Sequence, residues 1–268
     1  PSMNSSTWER VQPWRMTWNI ALKVPSARVS ETEAAFSLTA PSKTRVVVAY
    51  MPMNRTTETT VAAVHPAGTD AVALELETPE GFHALPGQFV RVGVEVDGDV
   101  ESRFYTLSSP DTEDTLEVTL TYDPESVVGK RLANLAAGDA VTVAGPFGDA
   151  HYDGEPRVLV LAGGPGVGAA VGIAERALAE GNEAEVVYRD DDPLLEDRLS
   201  ELSAAGVAVT VVGEDDTLPA AVTEVADGDE QAFVYGFADF VARATEALTE
   251  SGFDADAAKV ESFGPAPE

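Results

Sequence analysis

A six-stranded antiparallel β barrel followed by a five-stranded, doubly wound parallel α/β domain is the fold class this sequence predicts, and three observations predict it. From Thr57 to Phe147 the chain runs in short, alternating, β-branched segments broken by turn signals, the pattern of half-buried antiparallel strands. From Arg157 onward, apolar segments alternate with helical stretches rich in Ala and Glu, the pattern of a parallel sheet covered on both faces. Where the first of those apolar segments ends, the chain reads Gly163-Gly164-Pro165-Gly166-Val167-Gly168, a tight turn from strand into helix.

Taken in order, Val72-Ala73-Leu74-Glu75-Leu76, Phe89-Val90-Arg91-Val92 and Leu116-Glu117-Val118-Thr119-Leu120 are strand segments of the first half. Their side chains alternate with a period of two, which sends one set into a core and the other outward. Turns fall at Pro79-Glu80-Gly81, Asp97-Gly98-Asp99 and Ala137-Gly138-Asp139, each holding a glycine that tolerates left-handed backbone. One helical stretch, Val127 to Leu135, interrupts the strands; such a set reads as a barrel. Beyond Gly148 the parallel strands are Val158 to Ala162, Ala184 to Tyr188, Val207 to Val212, Ala232 to Tyr235 and Lys259 to Phe263. Ligands of such sheets bind at the carboxyl ends of the strands. The expected domains are 56–150 and 151–268.

Residues 1–55 differ in composition. They carry seven Lys and Arg against three Glu, whereas the remainder carries ten against forty-three acidic residues, and the first Asp is Asp70. All three Trp, Trp8, Trp14 and Trp18, lie here. An acid-poor leader of this kind reads as a transit peptide or as an extension foreign to the natural protein, with Met51 or Met53 the start. The second account is preferred, and a disordered or non-native extension with little packed structure is expected before residue 56.

The formal charge is -29 on 268 residues, with four Lys against thirteen Arg. Two readings stand: the solvated acidic surface of a halophilic protein, or an acidic patch made for one basic partner. Nucleic acid is not an expected partner, because a phosphate backbone needs a clustered basic face. No apolar run approaches the roughly 18 residues of a membrane span, so a cytoplasmic protein is expected. With no Cys, disulfides, thiolate zinc sites and cysteine-ligated iron–sulfur clusters are excluded. His65, His83 and His151 have no ligand spacing, and no metal is expected.

Two segments carry chemistry. Arg103-Phe104-Tyr105-Thr106-Leu107-Ser108-Ser109 sets a cation, an aromatic face and hydroxyls on one strand, a set able to neutralise a phosphate, stack on a planar ring and hydrogen-bond the ring's edge. The glycine loop lets backbone N–H groups approach a pyrophosphate at a helix N-terminus, where the macrodipole favours negative charge. Gly164-x-Gly166-x-x-Ala169 also fits a dinucleotide fingerprint; a ligand-free tight turn is the competing reading. Together the two segments imply one dinucleotide bound by each half.

On these residues the chain resembles the ferredoxin-NADP reductase family of flavoproteins over roughly residues 57 to 268. Arg103, Tyr105, Thr106 and Ser109 occupy the four positions of its flavin strand, with Pro86-Gly87-Gln88-Phe89-Val90 before it, Gly145-Pro146-Phe147-Gly148 closing the barrel and Glu261-Ser262-Phe263 near the C-terminus. The resemblance implies that the first domain binds FAD, with FMN the lesser alternative, and that the second binds NADH or NADPH. It places Arg103 on the flavin pyrophosphate, Tyr105 against the isoalloxazine and Thr106 at the ring edge that takes hydride, with Ser108 and Ser109 alongside. A second phosphate contact is expected at Gly129, Lys130 and Arg131, where the family commonly has Ser at the position of Gly129. Gly163, Gly164, Gly166 and Gly168 form the nicotinamide nucleotide loop, which departs from the family's Gly-Gly-Thr-Gly-x-x-Pro at Pro165 and Ala169. Arg189 and Asp190, followed by Asp191 and Asp192, meet the adenosine ribose, and three acids against one Arg lean toward NADH. Tyr235 and Gly236 stand where the family often has Cys-Gly, and Phe237 replaces its Pro. Glu261 and Phe263 are placed by the flavin, Glu261 as a proton donor or acceptor; a core aromatic is the other reading of Phe263.

The implied activity is hydride transfer between NAD(P)H and bound FAD, with electrons passed on to a small soluble carrier such as ferredoxin or to an oxygenase component. Two alternatives remain at this stage: a non-catalytic flavin-binding electron-transfer or sensing subunit, and a flavin-free nicotinamide-dependent dehydrogenase.

Overall fold

Alternation in the first half is realised as a closed sheet. Residues 56–213 and 216–266 are described by a computed structural model; the expectation for residues 1–55 lies outside the described residues. Strands β1 (Thr57–Gly68), β2 (Ala71–Glu77), β3 (Phe89–Val96), β4 (Asp99–Thr106), β5 (Thr115–Thr121) and β6 (Ala140–Phe147) form one antiparallel sheet in the order β4-β3-β6-β1-β2-β5. Strand β1 joins its two halves: Thr57 to Thr60 pair with β6, and Val61 to Gly68 pair with β2 across two register shifts. Such irregularities bend a strand around a barrel. The sheet's two edges meet at the bridge between Leu107 and Val118.

Inward-facing Leu74, Leu76, Val90, Leu116 and Val118 are completely buried in the barrel core. Each contributes roughly 1.5–3 kcal/mol by leaving water. The short helix α1 (Val127–Ala133) crosses the barrel's end and adds Leu132 to the core. It stops two residues before the expected Leu135, because Asn134 N–H already closes back onto the Arg131 and Leu132 carbonyls.

The second half is a parallel sheet of β7 (Arg157–Gly163), β8 (Glu183–Arg189), β9 (Ala208–Val212), β10 (Gln231–Gly236) and β11 (Lys259–Ser262), in the order β11-β10-β7-β8-β9. Central β7 shows why its run is apolar throughout: Val158, Val160 and Ala162 enter one core with helix α2 (Val167–Ala179) and helix α3 (Glu196–Ala204), while Leu159 and Leu161 enter the other with α4 (Leu218–Val225) and α5 (Ala238–Glu250). Successive side chains on a strand point to opposite faces, so a strand covered twice has no polar face.

Helix α2 has no charged residue in its first turn and is buried from Val167 to Ala174. Its Gly168 and Gly172 cost about 1 kcal/mol each relative to Ala in a helix interior, and they permit contact with the barrel. A Cβ on Gly172 would stand 3.0 Å from the Ser109 carbonyl, and one on Gly168 would stand 3.3 Å from Ser108 Cβ. The connection from β6 to β7 is tied to both domains: Tyr152 N–H donates to the Pro86 carbonyl (2.9 Å), Tyr235 Oη donates to the Ala150 carbonyl (2.7 Å) and Lys259 Nζ donates to the His151 carbonyl (2.8 Å).

Candidate functional site

Strand β4 is an edge strand whose two faces differ. Across the β3–β4 ladder, Arg103 pairs with Val92 and Tyr105 with Val90, whereas Phe104 pairs with Arg91. Because paired residues share a face, Arg103 and Tyr105 extend the face that lines the barrel interior, and Phe104 lies on the other. There Phe104, Phe89 and Phe147 meet mainly edge to face, with centroids 5.6 to 5.9 Å apart. Arg103 is half exposed, with Glu101 3.6 Å away and the Ser102 carbonyl as acceptor at 2.9 Å. Tyr105 leans on the barrel core. Burial pushes its phenol up to about 12 against the opposing pull of Arg103, so the ring is a neutral, rigid face.

Beyond Thr106, which is buried, the strand is pinned rather than open. Ser108 Oγ donates to Glu117 Oε1 (2.6 Å), and Ser109 Oγ accepts from Glu117 N–H (3.0 Å). The hydroxyls of Ser108 and Ser109 thus hold the strand end against β5. Glu117 also receives Arg198 Nη1 (2.6 Å), and Arg198 Nη2 reaches the Ser108 carbonyl (2.7 Å).

At the barrel's end, Ser126 caps α1 by accepting from Gly129 N–H at 2.8 Å. A Cβ on Gly129 would collide with the Asp123 carbonyl, so glycine is required there by packing. Lys130 Nζ donates to the Glu125 carbonyl (3.2 Å), and Arg131 pairs with Asp139 (3.1 Å). Sequence reasoning looked for a Ser at position 129 and missed Ser126; the signal was a Ser directly before a helical run.

In the glycine loop each residue has a separate reason. Gly164 has φ +56 and nothing within 4 Å of a Cβ, which leaves its backbone open to approach. Gly166 lies against the Tyr235 carbonyl too closely for a side chain, and Gly163 and Gly236 both press on the ring of Phe240. Pro165 occupies the first turn of the short 3-10 helix Gly164–Gly166, where no partner for its missing N–H is needed. Phe240, at the carboxyl ends of β7 and β10, was not singled out from sequence.

Beyond β8, Asp190 is oriented by two contacts. Its Oδ2 accepts from Tyr188 Oη (3.0 Å) and its Oδ1 from Asp192 N–H (3.0 Å). Tyr188 Oη in turn accepts from Leu194 N–H at 3.2 Å. Arg189, next to Asp190, closes the strand pair with Gly163.

Tyr235, Glu261 and Phe263 gather at the seam between the domains. Tyr235 is completely buried, its hydroxyl occupying the space a Cβ on Gly87 would need. Glu261 pairs with Tyr235 in the ladder, and its Oε2 stands 3.2 Å from where Gly148 would carry a Cβ, beside the ring of Phe89. Burial, reinforced by Asp149, raises the Glu261 pKa. Phe263 N–H donates to the Gly236 carbonyl (2.9 Å), and its ring meets Phe237 edge-on at 5.9 Å.

The donor set of the barrel suits a flavin dinucleotide. A half-exposed guanidinium and a neutral aromatic face lie on one side of one strand, and a capped helix start lies beyond. No described helix is long and apolar enough to cross a membrane.

Residues 58–152 match the oxidoreductase FAD-binding domain family. Among curated proteins, the glycine betaine monooxygenase reductase subunit of Chromohalobacter salexigens is 38% identical over 95 residues, 34% of this chain and 26% of that protein. The aromatic O-demethylase reductase subunit of an Amycolatopsis species is 39% identical over 128 residues, 44% of this chain and 37% of that protein. This chain therefore spans well under half the length of these curated relatives. The crystal structure of an Amycolatopsis cytochrome P450 reductase superposes with a TM-score of 0.64 and 27% identity over 80% of this chain and 72% of that one. A ferredoxin NADP+ reductase of Neisseria gonorrhoeae, solved with FAD and NADP, shares the fold at 16% identity, a TM-score of 0.63, and 79% and 99% coverage. Residues 58–152 are thus similar in sequence to the oxidoreductase FAD-binding domain family, and the two sheets together share the fold of solved cytochrome P450 and ferredoxin NADP+ reductases.

Proposed function

We propose that the protein is a reductase that draws hydride from NADH or NADPH into FAD held on the barrel and delivers electrons to a small soluble carrier or an oxygenase component. The observation that carries this reading is the junction of the two nucleotide elements. Helix α2, which starts at the glycine loop, rests through Gly168 and Gly172 on Ser108 and Ser109, the end of the strand bearing Arg103 and Tyr105. The flavin strand thus ends, and the nucleotide-loop helix begins, within a few residues of that contact. The relatives' names, reductase subunits of oxygenase systems, support the choice of acceptor.

When bound, FAD supplies a centre that accepts two electrons as hydride and releases them singly. The chain's residues do the rest. Arg103 neutralises a phosphate, Tyr105 fixes the plane of the ring system, and Thr106 offers its hydroxyl or N–H to the ring's polar edge. Gly164 gives the incoming nucleotide close access to backbone, and the start of α2 favours its phosphates. Asp190, already oriented by Tyr188 and Asp192, accepts from a ribose 2'-hydroxyl and repels a 2'-phosphate, which favours NADH. Glu261, whose raised pKa brings proton exchange nearer neutrality, holds or gives up a proton beside Phe89 and Gly148. Domains 56–150 and 151–268 are read as the FAD-binding and nucleotide-binding halves.

The test is an anaerobic visible spectrum of the purified protein before and after NADH, then NADPH. A yellow protein bleached by either, faster by NADH, is the expected outcome. Yellow protein left oxidised by both would turn the reading to a flavin-binding subunit without productive nicotinamide binding, and colourless protein releasing no flavin on denaturation would turn it to a flavin-free dehydrogenase.

A further inference from the structure

Arg198 has no part in the reading above, yet it makes the most connected side-chain contact between the two halves. It lies on α3, and its side chain is 22% exposed. Its Nε and Nη2 grip both carboxylate oxygens of Glu175 on α2 (3.0 and 2.7 Å), its Nη1 holds Glu117 on β5 (2.6 Å), and Nη2 also donates to the Ser108 carbonyl (2.7 Å). The partners belong to different domains: Glu175 sits on the helix that follows the glycine loop, and Ser108 and Glu117 sit at the end of the flavin strand. The planar fork of a guanidinium fixes direction as well as distance, which an ammonium cannot do.

Two further features make this contact specific. Gly168 and Gly172 remove the side chains that would hold α2 away from Ser108 and Ser109, so the backbones approach as far as van der Waals contact permits. Ser108 Oγ and Ser109 Oγ both engage Glu117, so the strand end cannot move independently of the carboxylate that Arg198 holds. In a chain of charge -29, the two facing carboxylates repel once the guanidinium is removed.

Resting on the proposed function, we infer that Arg198 is a positioning residue: it locks α2 onto the flavin strand and so sets the spacing and angle at which the nicotinamide meets the flavin. Thr106 lies two residues before Ser108, and Gly166 two residues before Gly168. The lock acts at the root of both cofactor elements without touching either cofactor. A displacement of about 1 Å between reacting groups costs on the order of a hundredfold in rate, so loosening this contact acts on hydride transfer and little on nucleotide affinity.

The experiment uses the absence of native cysteine. Spin labels at Thr121→Cys on β5 and Glu201→Cys on α3, both exposed, report the interdomain distance distribution of the full-length, flavin-loaded protein in molar salt. That distribution and anaerobic stopped-flow flavin reduction by NADH are compared for the parent, Arg198→Lys, Arg198→Met and the triple variant Arg198→Met, Glu117→Gln, Glu175→Gln. The triple variant carries no stranded carboxylates and keeps the test open if Arg198→Met does not fold. The expected result is a broader distribution in each folded Arg198→Met variant, a limiting reduction rate lower by about tenfold to a hundredfold, an unchanged half-saturating NADH concentration, and partial rescue by Arg198→Lys. A distribution as narrow as the parent's, or an unchanged limiting rate in a folded variant, overturns the inference. If the parent is reduced by neither nucleotide, the functional reading fails, while the distance distributions alone still decide whether Arg198 locks the domains.

Discussion

Tyr235 Oη donates to the Ala150 carbonyl at 2.7 Å, joining the carboxyl end of the parallel sheet to the segment that leaves the barrel. Tyr235 is a completely buried phenol in the seam between domains. Tyr235→Phe leaves a buried carbonyl without its partner, a loss of about 1–3 kcal/mol. The melting temperature is expected to fall by roughly 2–4 °C for each kcal/mol. A melt that does not move would show the bond to be dispensable.

Arg103 is the cation we propose for the flavin face, and among the described residues Glu101 is its only ion-pair partner. Charge-assisted hydrogen bonds contribute about 1.5–3 kcal/mol, so Arg103→Ala is expected to weaken FAD binding by roughly tenfold or more. Titration of the flavin-free protein with FAD, followed by fluorescence quenching, measures it. Equal affinity in the variant would remove Arg103 from the site.

Gly172→Ala sets helix propensity against packing. Alanine is the better helix former by about 1 kcal/mol, yet its Cβ would press on the Ser109 and Ser108 carbonyls at 3.0 and 3.2 Å. The expected outcome is a lower melting temperature despite the propensity gain, with α2 displaced from the strand end. A stabilised variant would mean that the interface yields freely.

Glu185 lies in the cluster around Arg157, where burial and the Glu230 carboxylate push it up to about 7 against the pull of Arg157. An acid raised in the folded state binds its proton more tightly there than in the unfolded chain, for which the ordinary value is 4.5. Its favourable contribution is complete below about pH 4.5 and is lost as pH rises to about 7. Glu185→Gln is therefore expected to raise the melting temperature at pH 8, by about 3 °C or more, and to change it little near pH 5. Equal effects at both pH values would contradict the assignment.

Glu261 is raised by burial and by Asp149. It takes up a proton at a higher pH than an exposed carboxylate, so the rate of flavin reduction should carry an ionisation above the usual carboxyl range. Glu261→Gln should abolish that limb and leave the rest of the profile intact. A profile identical in shape to the parent's would place the ionisation elsewhere.

Much of the architecture was legible in the residues. Alternation from Val72 to Leu120 and the all-apolar Val158 to Ala162 distinguish a strand with one buried face from a strand with two, because side-chain direction repeats every second residue. The glycine loop was legible because strand, glycines and helix are contiguous. Arg198 was not: it is the one basic residue in a short amphipathic helix, and its partners Ser108, Glu117 and Glu175 lie 90, 81 and 23 residues away. Phe240 and Ser126 were nearer to visibility, since each adjoins a motif that was read.

By itself the sequence determined what local rules encode: two sheet types in order, the turn glycines, a cation and an aromatic on one strand, and a loop open to phosphate. Tertiary structure alone decided which of those groups remain available to a ligand. Ser108 and Ser109 spend their hydroxyls on Glu117, Tyr235 turns into the seam, and Gly168 and Gly172 seat one domain on the other. Hydrogen-bond partners and close backbone approaches depend on distances between residues remote in the chain, and no local pattern of side chains carries that information.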